Sequence, residues 1–424
     1  MPRQFTLPNG IRVLLLPEDG KPFAGIAVGL HHGSGFESSE RAGLAHLAEH
    51  MTSRATKSYP TWRDLGVAFG LIGKGPYAET SKTTMIYSGK TFPRFTPQAL
   101  SIVGEMLTAP VITQDHLEQE SGRAIDELRS FSDVLDDELD YELDRFLLEG
   151  DPRGKHTLGT EDTISSCSLG DLRGLHRTIV RGRRMVIVVA GRFSVDRVMQ
   201  RIDERFTAIP PGQPRKPFAF TPTQRRRNII MHRHDMNLIM GRIGFIAPGL
   251  SDPLRIPLAV LNKHLGGHDA SALSLALLAE GKLYTTSSCV WHYFDVGYLW
   301  VSFEASPECF YDVLGAIMGE LRAVRQQPIS ALDLELAKRQ LRMDTSEKFL
   351  NPYETATFYA RLLLENGSDF LLHRAYLHAV QQVTRGDVLR AARQTFHTSR
   401  MSALFGGATH GLRKGRIERI LRFR

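Results

Sequence analysis

Residues 46–50 read His-Leu-Ala-Glu-His, which places three side chains suited to metal chemistry within five positions. On a helix, His46, Glu49 and His50 lie on one face, because positions i, i+3 and i+4 do. Two imidazoles and one further ligand hold a catalytic zinc ion and leave a fourth position for water. A carboxylate beside that water acts as a general base. The spacing predicts that His46 and His50 bind one Zn²⁺ per chain and that Glu49 is the base of a hydrolase. On the motif alone, a surface helix that carries two histidines and a glutamate is the alternative.

A third ligand is available in a polar segment around residues 114–128, which has the composition of a helix. This segment carries Glu120 and Glu127, which are two helical turns apart and therefore share a face. Either carboxylate can reach a metal ion held by the first helix. A solvated acidic helix face is the alternative, and the residues alone leave the two interpretations open.

The motif and its surroundings resemble the pitrilysin and insulinase family of zinc peptidases, the inverzincins, in which H-x-x-E-H reverses the commoner order. In that family a glutamate supplies the third ligand at a separation like that between His50 and Glu127, and a supporting glutamate precedes it by two turns. The resemblance implies that Glu127 is the third ligand and that Glu120 orients the site. Further resembling stretches lie at residues 7–13, 33–37, 159–164, 185–191 and 265–271.

The resemblance implies an α+β fold of two homologous α/β domains, each a sheet covered by helices. Internal duplication would relate the domains, in a clam-shell assembly with a second subunit. The sequence agrees with this plan, since both halves alternate strand-like and helix-like segments in a similar order. Between them, four prolines in residues 209–217 interrupt any helix or central strand. We therefore predict an N-terminal zinc-binding catalytic domain at residues 1–210, a linker at 211–219 and a metal-free C-terminal domain at 220–424.

The local patterns also predict individual elements. The zinc helix should begin near residues 40–42, with Ser38 or Ser39 as its cap, and another helix should start at Pro60 and Thr61. Strands are predicted near residues 11–16, 24–31, 83–89, 185–190, 229–232, 237–246, 286–293 and 297–304. A helix at 254–264 occupies the place of the zinc helix in the second half, but residues 260–264, Val-Leu-Asn-Lys-His, lack a ligand pair.

Two positions depart from the family pattern. The family places an arginine seven residues before a tyrosine in the second half, and this pair grips the substrate backbone and the developing oxyanion. Here Tyr284 is present, but Leu277 stands where the arginine is expected and offers no hydrogen-bond donor. Such a loss typically costs about 2.7–4 kcal/mol of transition-state stabilisation. We therefore expect a two-subunit enzyme that resembles the processing-peptidase-like members of the family. This chain would be the zinc-binding, beta-type subunit, and a homologous metal-free subunit would supply the Arg/Tyr pair.

The second departure concerns the contact with substrate. The family pattern Asn-Ala-x-Thr corresponds here to residues 77–80, Tyr-Ala-Glu-Thr. The resemblance implies that Tyr77 and Ala78 lie at the substrate-binding strand. For Tyr77 two interpretations are open, namely packing beneath the site or a narrowed, aromatic subsite.

Composition limits the alternatives. The 424 residues carry a formal charge of +7, but no nucleic-acid-binding motif accompanies it, so we predict no nucleic-acid partner. The sequence contains no run of 18 apolar residues, so we predict no membrane span. The N-terminal residues do not resemble a secretory signal, so a cytoplasmic location is expected. Cys167, Cys289 and Cys309 are too widely spaced for a disulfide framework or a Cys-x-x-Cys site.

The predicted function is that of a zinc-dependent endopeptidase that cleaves short or unfolded peptides, such as leader or presequence peptides, as the catalytic subunit of a heterodimer. The alternative is a non-catalytic structural or assembly subunit that retains the peptidase fold. The complete set of ligands and base favours the enzyme, because inactive subunits typically lose a ligand.

Overall fold

The computed structural model describes residues 2–223, 227–278, 285–366 and 371–423. The chain forms two compact units, each built from three segments. The first unit comprises Met1–Ser130, Lys155–Pro217 and Glu347–Phe370, and the second comprises Phe131–Gly154, Phe218–Ser346 and Leu371–Arg424.

The first unit contains a six-stranded sheet in the order β1-β2-β6-β3-β5-β4. Its strands are β1 Arg3–Thr6, β2 Arg12–Pro17, β3 Ala24–Leu30, β4 Gly73–Thr80, β5 Met85–Thr91 and β6 Met185–Gly191. Strands β2 and β6 are parallel, and every other neighbouring pair is antiparallel. All seven residues of both β3 and β6 are buried, as expected for continuous apolar runs that are covered on both faces.

Helices cover both faces of this sheet. The helices before the second sheet are α1 Leu44–Arg54, α2 Trp62–Gly70, α3 Thr96–Thr108, α4 Gln114–Ser132, α5 Leu135–Leu147, α6 Glu161–Ser165, α7 Leu169–Ile179 and α8 Val195–Phe206. On one face, Val28 of β3 packs with Val103 of α3 and Ile202 of α8. On the other face lies α12 Pro352–Asn366, which packs against β3 and β6. Gly25 permits this approach, since a Cβ there would collide with the backbone of Pro352.

The second unit contains a five-stranded sheet in the order β7-β11-β8-β10-β9. Its strands are β7 Asn228–Met231, β8 Ile239–Ala247, β9 Thr285–His292, β10 Gly297–Ala305 and β11 Met401–Gly407. The remaining helices are α9 Arg255–Gly266, α10 Phe310–Gln326, α11 Ala331–Lys348, α13 His373–Gln382, α14 Arg385–Thr395 and α15 Lys414–Ile420. The core packs Ile243, Phe245 and Phe303 of the sheet against Leu261 of α9 and Ile317 of α10.

The two sheets repeat one pairing pattern, which confirms the predicted internal duplication. Strands β7 and β11 are parallel, as β2 and β6 are, and β8, β10 and β9 then add antiparallel, as β3, β5 and β4 do. Helices α1 and α9 follow the corresponding strands β3 and β8. Helices α4 and α11 are each the second α-helix after the corresponding strands β5 and β10. The α+β fold of two helix-covered sheets is therefore as predicted.

The compact units differ from the predicted contiguous domains at residues 1–210 and 220–424. Helix α5, from the first half of the chain, belongs to the second unit, and α12, from the second half, belongs to the first unit. Residues Leu139, Leu143 and Leu147 of α5 pack against Ile246 and Leu404 of the second sheet. The spacing of these leucines shows that α5 has an apolar face, but it does not say which sheet that face covers, so the exchange is a tertiary outcome. The predicted linker lies in residues 210–223, which carry no helix or strand.

Most predicted elements are present within two residues of their expected ends. No helix in the described ranges has both the length and the apolar character that a membrane crossing requires. The three cysteines are free thiols.

Candidate metal centre

Helix α1, which carries the motif, begins later than the sequence predicts. It starts at Leu44, and Ser38 and Ser39 do not cap it. The carboxylate of Glu37 instead accepts hydrogen bonds from the backbone N–H of Gly43, at 2.8 Å, and of Ala45. Gly43 has φ +89°, and a Cβ at this position would collide with the carbonyl of Leu158. The start of α1 is therefore set by a carboxylate six residues upstream, which satisfies N–H groups that lack a partner within the helix.

The structure brings His46, His50 and Glu127 together. The Nε2 atoms of the two histidines are 3.2 Å apart. A carboxylate oxygen of Glu127 lies 3.6 Å from Nε2 of His46 and 3.5 Å from Nε2 of His50. Within the described part of the chain, this is the one group of three or more His, Cys, Asp or Glu side chains whose ligand atoms are close enough for a metal ion.

This geometry fits a zinc ion. Tetrahedral bonds of 2.0–2.1 Å put neighbouring ligand atoms about 3.3 Å apart, close to the three separations seen between His46, His50 and Glu127. The His46 side chain is 8% exposed and that of Glu127 is 50% exposed. One side of the group is therefore closed by protein and the other is open, as a catalytic site with a free coordination position requires.

Glu120 lies behind His50. One carboxylate oxygen of Glu120 is 3.1 Å from Nδ1 of His50, and the other accepts from Arg54. Burial would raise the pKa of Glu120, but the hydrogen bonds from His50 and Arg54 outweigh it and hold this pKa at about 2. The ionised Glu120 accepts the Nδ1–H of His50, which orients the Nε2 atom of His50 toward the ligand group.

The two histidines differ in their electrostatic surroundings. Burial lowers the pKa of His46 to about 4, so its ring is neutral at physiological pH. Burial also lowers the pKa of His50, but the hydrogen bonds to Glu120 and Glu127 outweigh burial and raise this pKa to about 9. A metal ion at this site must therefore replace a proton on His50.

Glu49 lies beside the ligand group and is not one of its members. Its carboxylate accepts a hydrogen bond of 2.7 Å from the hydroxyl of Thr80, at the end of β4. Burial raises the pKa of Glu49, and the bond from Thr80 opposes this only in part. A buried carboxyl with a raised pKa is suited to take up a proton and to release it again.

The predicted substrate-binding residues differ in where the structure places them. Tyr77 and Ala78 lie on β4, where Tyr77 is 46% exposed and Ala78 packs against the core of the first unit. The Tyr77 ring is thus partly exposed and partly packed against Tyr353. Leu277 is fully buried in the core of the second unit. Tyr284 lies outside the described residues.

Sequence reasoning missed three residues that support the site. Thr80 was noted only as a match to the family pattern, and Arg54 and Glu37 were not identified as supporting residues. The signal for Arg54 is weak, since it lies on α1 one turn after His50 and its contact with Glu120 depends on how α1 and α4 pack. Glu37 departs from the usual capping pattern because it lies outside the first turn of the helix.

Comparison with known proteins places this chain in a family. A model of the insulinase family, peptidase family M16, matches residues 12–161, which include all five residues of the site. A model described as the peptidase M16 inactive domain matches residues 166–341. The second match falls on the part of the chain that lacks the motif.

Three curated relatives are each 26% identical to this chain. A probable beta subunit of the mitochondrial-processing peptidase of Arabidopsis thaliana aligns with 80% of this chain and 66% of its own length. Core protein I of the ubiquinol-cytochrome-c reductase complex of Euglena gracilis aligns over 91% of this chain and 83% of its own length. An uncharacterized zinc protease of Mycobacterium bovis aligns over 97% and 94%, respectively.

Solved structures share the fold of the whole chain. A protease from Helicobacter pylori has a TM-score of 0.87 at 19% identity and covers 96% of this chain and 99% of its own. A peptidase M16 inactive domain from Pseudomonas fluorescens has the same TM-score at 15% identity and covers 97% of this chain and 99% of its own. With the two family models matching consecutive parts of the sequence and the fold shared along its length, this chain belongs to the pitrilysin and insulinase family of M16 peptidases.

Proposed function

We propose that the chain is a zinc-dependent endopeptidase that cleaves short or unfolded peptides. The observation that carries the proposal is the convergence of His46, His50 and Glu127, with Glu49 beside them and Glu120 on the far side of His50. The relatives named zinc proteases support the choice of metal.

The side chains divide the chemistry between them. His46, His50 and Glu127 hold one zinc ion, which would polarise the scissile carbonyl and lower the pKa of a water molecule. Glu49 accepts the proton of the attacking water and passes it to the leaving amine, and its raised pKa favours both transfers. Thr80 keeps the Glu49 carboxylate in place through its hydroxyl.

The substrate would bind as an added strand along β4. This strand is at one end of the six-stranded sheet, so one of its edges has no neighbouring strand among the described residues. Strand addition requires an extended peptide backbone, which selects short or unfolded substrates. Leader and presequence peptides have this property.

We propose further that the active enzyme contains a second, homologous subunit without metal. Leu277 occupies the position of the expected arginine and is committed to the core of the second unit, so this chain does not place a guanidinium there. The partner would supply the Arg/Tyr pair that holds the substrate and the developing oxyanion. The likeness to a beta subunit of a processing peptidase supports this arrangement.

A non-catalytic assembly subunit is the second candidate, and the likeness to core protein I of a respiratory complex favours it. Against it stands the complete site, because an assembly role requires neither the three ligand side chains nor the base. Metal content separates the two candidates before any substrate is known.

Replacement of Glu49 by Gln tests the assignment directly. The Glu49→Gln variant should bind about one equivalent of zinc, as the wild type does, and should lose peptide cleavage, because the amide cannot accept the proton. Zinc is measured by elemental analysis and cleavage with a quenched fluorescent peptide mixture. Glu40→Gln, at an exposed carboxylate shortly before α1, is the matched control and should be unchanged. Cleavage by Glu49→Gln at the wild-type rate would remove Glu49 from its role.

The partner is tested by assaying the purified chain alone and after addition of a homologous subunit that carries the Arg/Tyr pair. Addition should raise kcat/KM by about 100-fold or more, the size expected for one missing oxyanion donor. Full activity of the chain alone would contradict the proposed division of labour, while zinc binding would still support the metal site.

A further inference from the structure

The free edge of β4 is regular over only a short stretch. The pairing of β4 with β5 shifts register between Lys74 and Tyr77. Pro76, within this shift, has no backbone N–H to donate to an added strand. The stretch that remains for pairing with a peptide is therefore Tyr77–Thr80, four residues long.

This stretch leads directly to the metal centre. Thr80 at its end donates to Glu49, whereas Tyr77 lies three residues earlier, about 10 Å along the strand. Side chains alternate along a strand, so Tyr77 and Glu79 point to one face and Ala78 and Thr80 to the other. The face of Ala78 and Thr80 is that of the metal helix, and the face of Tyr77 and Glu79 is that of α12.

On the α12 face, the Tyr77 ring has an aromatic neighbour and is otherwise partly exposed. Its ring lies edge to face with the ring of Tyr353, with centroids 5.7 Å apart. The hydroxyl of Tyr353 accepts a hydrogen bond from Ser88 of β5, at 3.4 Å. Tyr353 is half-buried, and Tyr77 remains 46% exposed on the edge strand. The exposed part of the Tyr77 ring therefore extends an aromatic surface from the helix to the edge where a peptide would add.

One charge on this face is paired. Glu79, the next residue of β4 on the same face, forms an ion pair of 2.6 Å with Arg361 of α12. At its Tyr77 end, the stretch presents ring surface to a peptide. Ring surface gains most from contact with another aromatic ring or a large apolar group.

We propose that Tyr77, supported by Tyr353, selects a large apolar or aromatic side chain in the peptide that pairs with β4. This subsite lies on the α12 face, separate from the ligand and base residues. The inference rests on the proposed peptidase function and adds a substrate preference to it. The preferred side chain lies two to four residues from the scissile bond, as the distance from Tyr77 to Thr80 requires.

The test measures peptide binding to zinc-loaded Glu49→Gln, so that no cleavage is needed. A fluorescent decapeptide made of serine is the reference. It is compared with decapeptides in which one serine, at each position in turn, is replaced by phenylalanine. One position on one side of the scissile bond should show about tenfold tighter binding with phenylalanine. Adding Tyr77→Ala should abolish the difference, and Tyr77→Phe should preserve it.

Two further variants separate recognition from packing. Tyr353→Ala should reduce the preference in part, because the Tyr77 ring loses its support. Phe92→Ala, at an exposed aromatic residue outside β4, should leave the preference unchanged. Thermal unfolding of each variant should stay close to that of the parent.

Equal binding of the phenylalanine and serine peptides at every position, or a preference that survives Tyr77→Ala, would overturn the subsite. These outcomes are independent of the proposed function, which fails instead if Glu49→Gln cleaves peptides or if the wild type binds no zinc.

Discussion

Helices α1 and α9 occupy corresponding places in the two units, yet only α1 is built for metal chemistry. Each follows the strand at the centre of its sheet and packs against the edge strand of that sheet, β4 or β9. Residues 46–50 of α1 include the ligand pair His46 and His50. Residues 260–264 of α9, Val-Leu-Asn-Lys-His, contain no such pair.

Helix α9 carries a cation where it meets α11. The ammonium group of Lys263 is paired with Asp344 of α11 and donates to the carbonyl of Gly267, at 2.7 Å. Helix α11 corresponds to α4, so the contact that joins His50 to Glu127 in the first unit has become an ion pair in the second. The duplicated fold thus preserves the packing of these helices, while a few side chains decide whether that contact binds metal.

The largest difference should appear when one histidine of each helix, His50 of α1 or His264 of α9, is removed. His50→Ala should abolish zinc binding and cleavage, a larger loss than the roughly 10–100-fold that removal of a supporting residue causes. His264→Ala should leave the zinc content at about one equivalent, because α9 holds no ligand group. Elemental analysis of both variants provides the comparison. Loss of zinc from His264→Ala, with its thermal stability intact, would contradict the asymmetry.

Buried charges in the second unit should matter for stability instead. Arg153 is fully buried, bonds to Asp151 and Asp295, and lies between the rings of Phe218 and Tyr293. Arg153→Met leaves two carboxylates without their partner and should lower the free energy of unfolding by about 3–5 kcal/mol. Urea unfolding can be followed by tryptophan fluorescence, because two of the three tryptophans lie in this unit.

The control for Arg153 is Arg129, whose guanidinium forms an exposed ion pair with Glu161. Arg129→Met should change stability little, since exposed pairs are screened by water and salt. Equal effects of the two substitutions would show that burial does not distinguish them.

Glu120→Gln should weaken the metal site without removing it. The amide cannot accept as strongly from His50 and Arg54, so zinc affinity should fall by about 10–100-fold. Competition with a chromophoric chelator measures the change. Glu118→Gln, at an exposed position of the same helix, should leave the affinity unchanged. A wild-type affinity in Glu120→Gln would show that His50 needs no supporting carboxylate.

The smallest effect is expected at the start of α1. Glu37→Ala removes the acceptor of two backbone N–H groups and should cost about 0.5–2 kcal/mol, as the loss of a helix cap does. Chemical unfolding of the first unit measures this cost. Glu40→Ala, at an exposed residue shortly before α1, serves as the control. No loss in Glu37→Ala would mean that Gly43 alone determines where α1 begins.

Glu37 should also make the stability of the protein depend on pH. Burial raises the pKa of Glu37 to about 7 from an ordinary value of 4.5, although bonds from Ala45 and Gly43 oppose the shift. The unfolded chain therefore releases this proton at lower pH than the folded chain does. The contribution to stability is full below pH 4.5 and is lost as the pH rises through about 7. Over that interval the Tm of the wild type should fall relative to that of Glu37→Gln, and parallel curves would contradict the raised pKa.

The sequence alone determined the elements that depend on local periodicity. The faces of two helices, with His46 and His50 on one and Glu120 and Glu127 on the other, follow from spacing. The strands near residues 24–31 and 185–190 follow from apolar runs, which is why most element boundaries agree with the structure. The resemblance to a family then selected Glu127, rather than Glu120, as the third ligand.

Only the tertiary structure decided which of these elements meet. The approach of α4 to α1, the bond from Thr80 to Glu49 and the cap that Glu37 places on α1 all join residues whose contacts no local pattern encodes. The exchange of α5 and α12 between the units has the same cause. An apolar helix face must be buried, but several sheets can bury it, and the choice depends on packing along the entire chain.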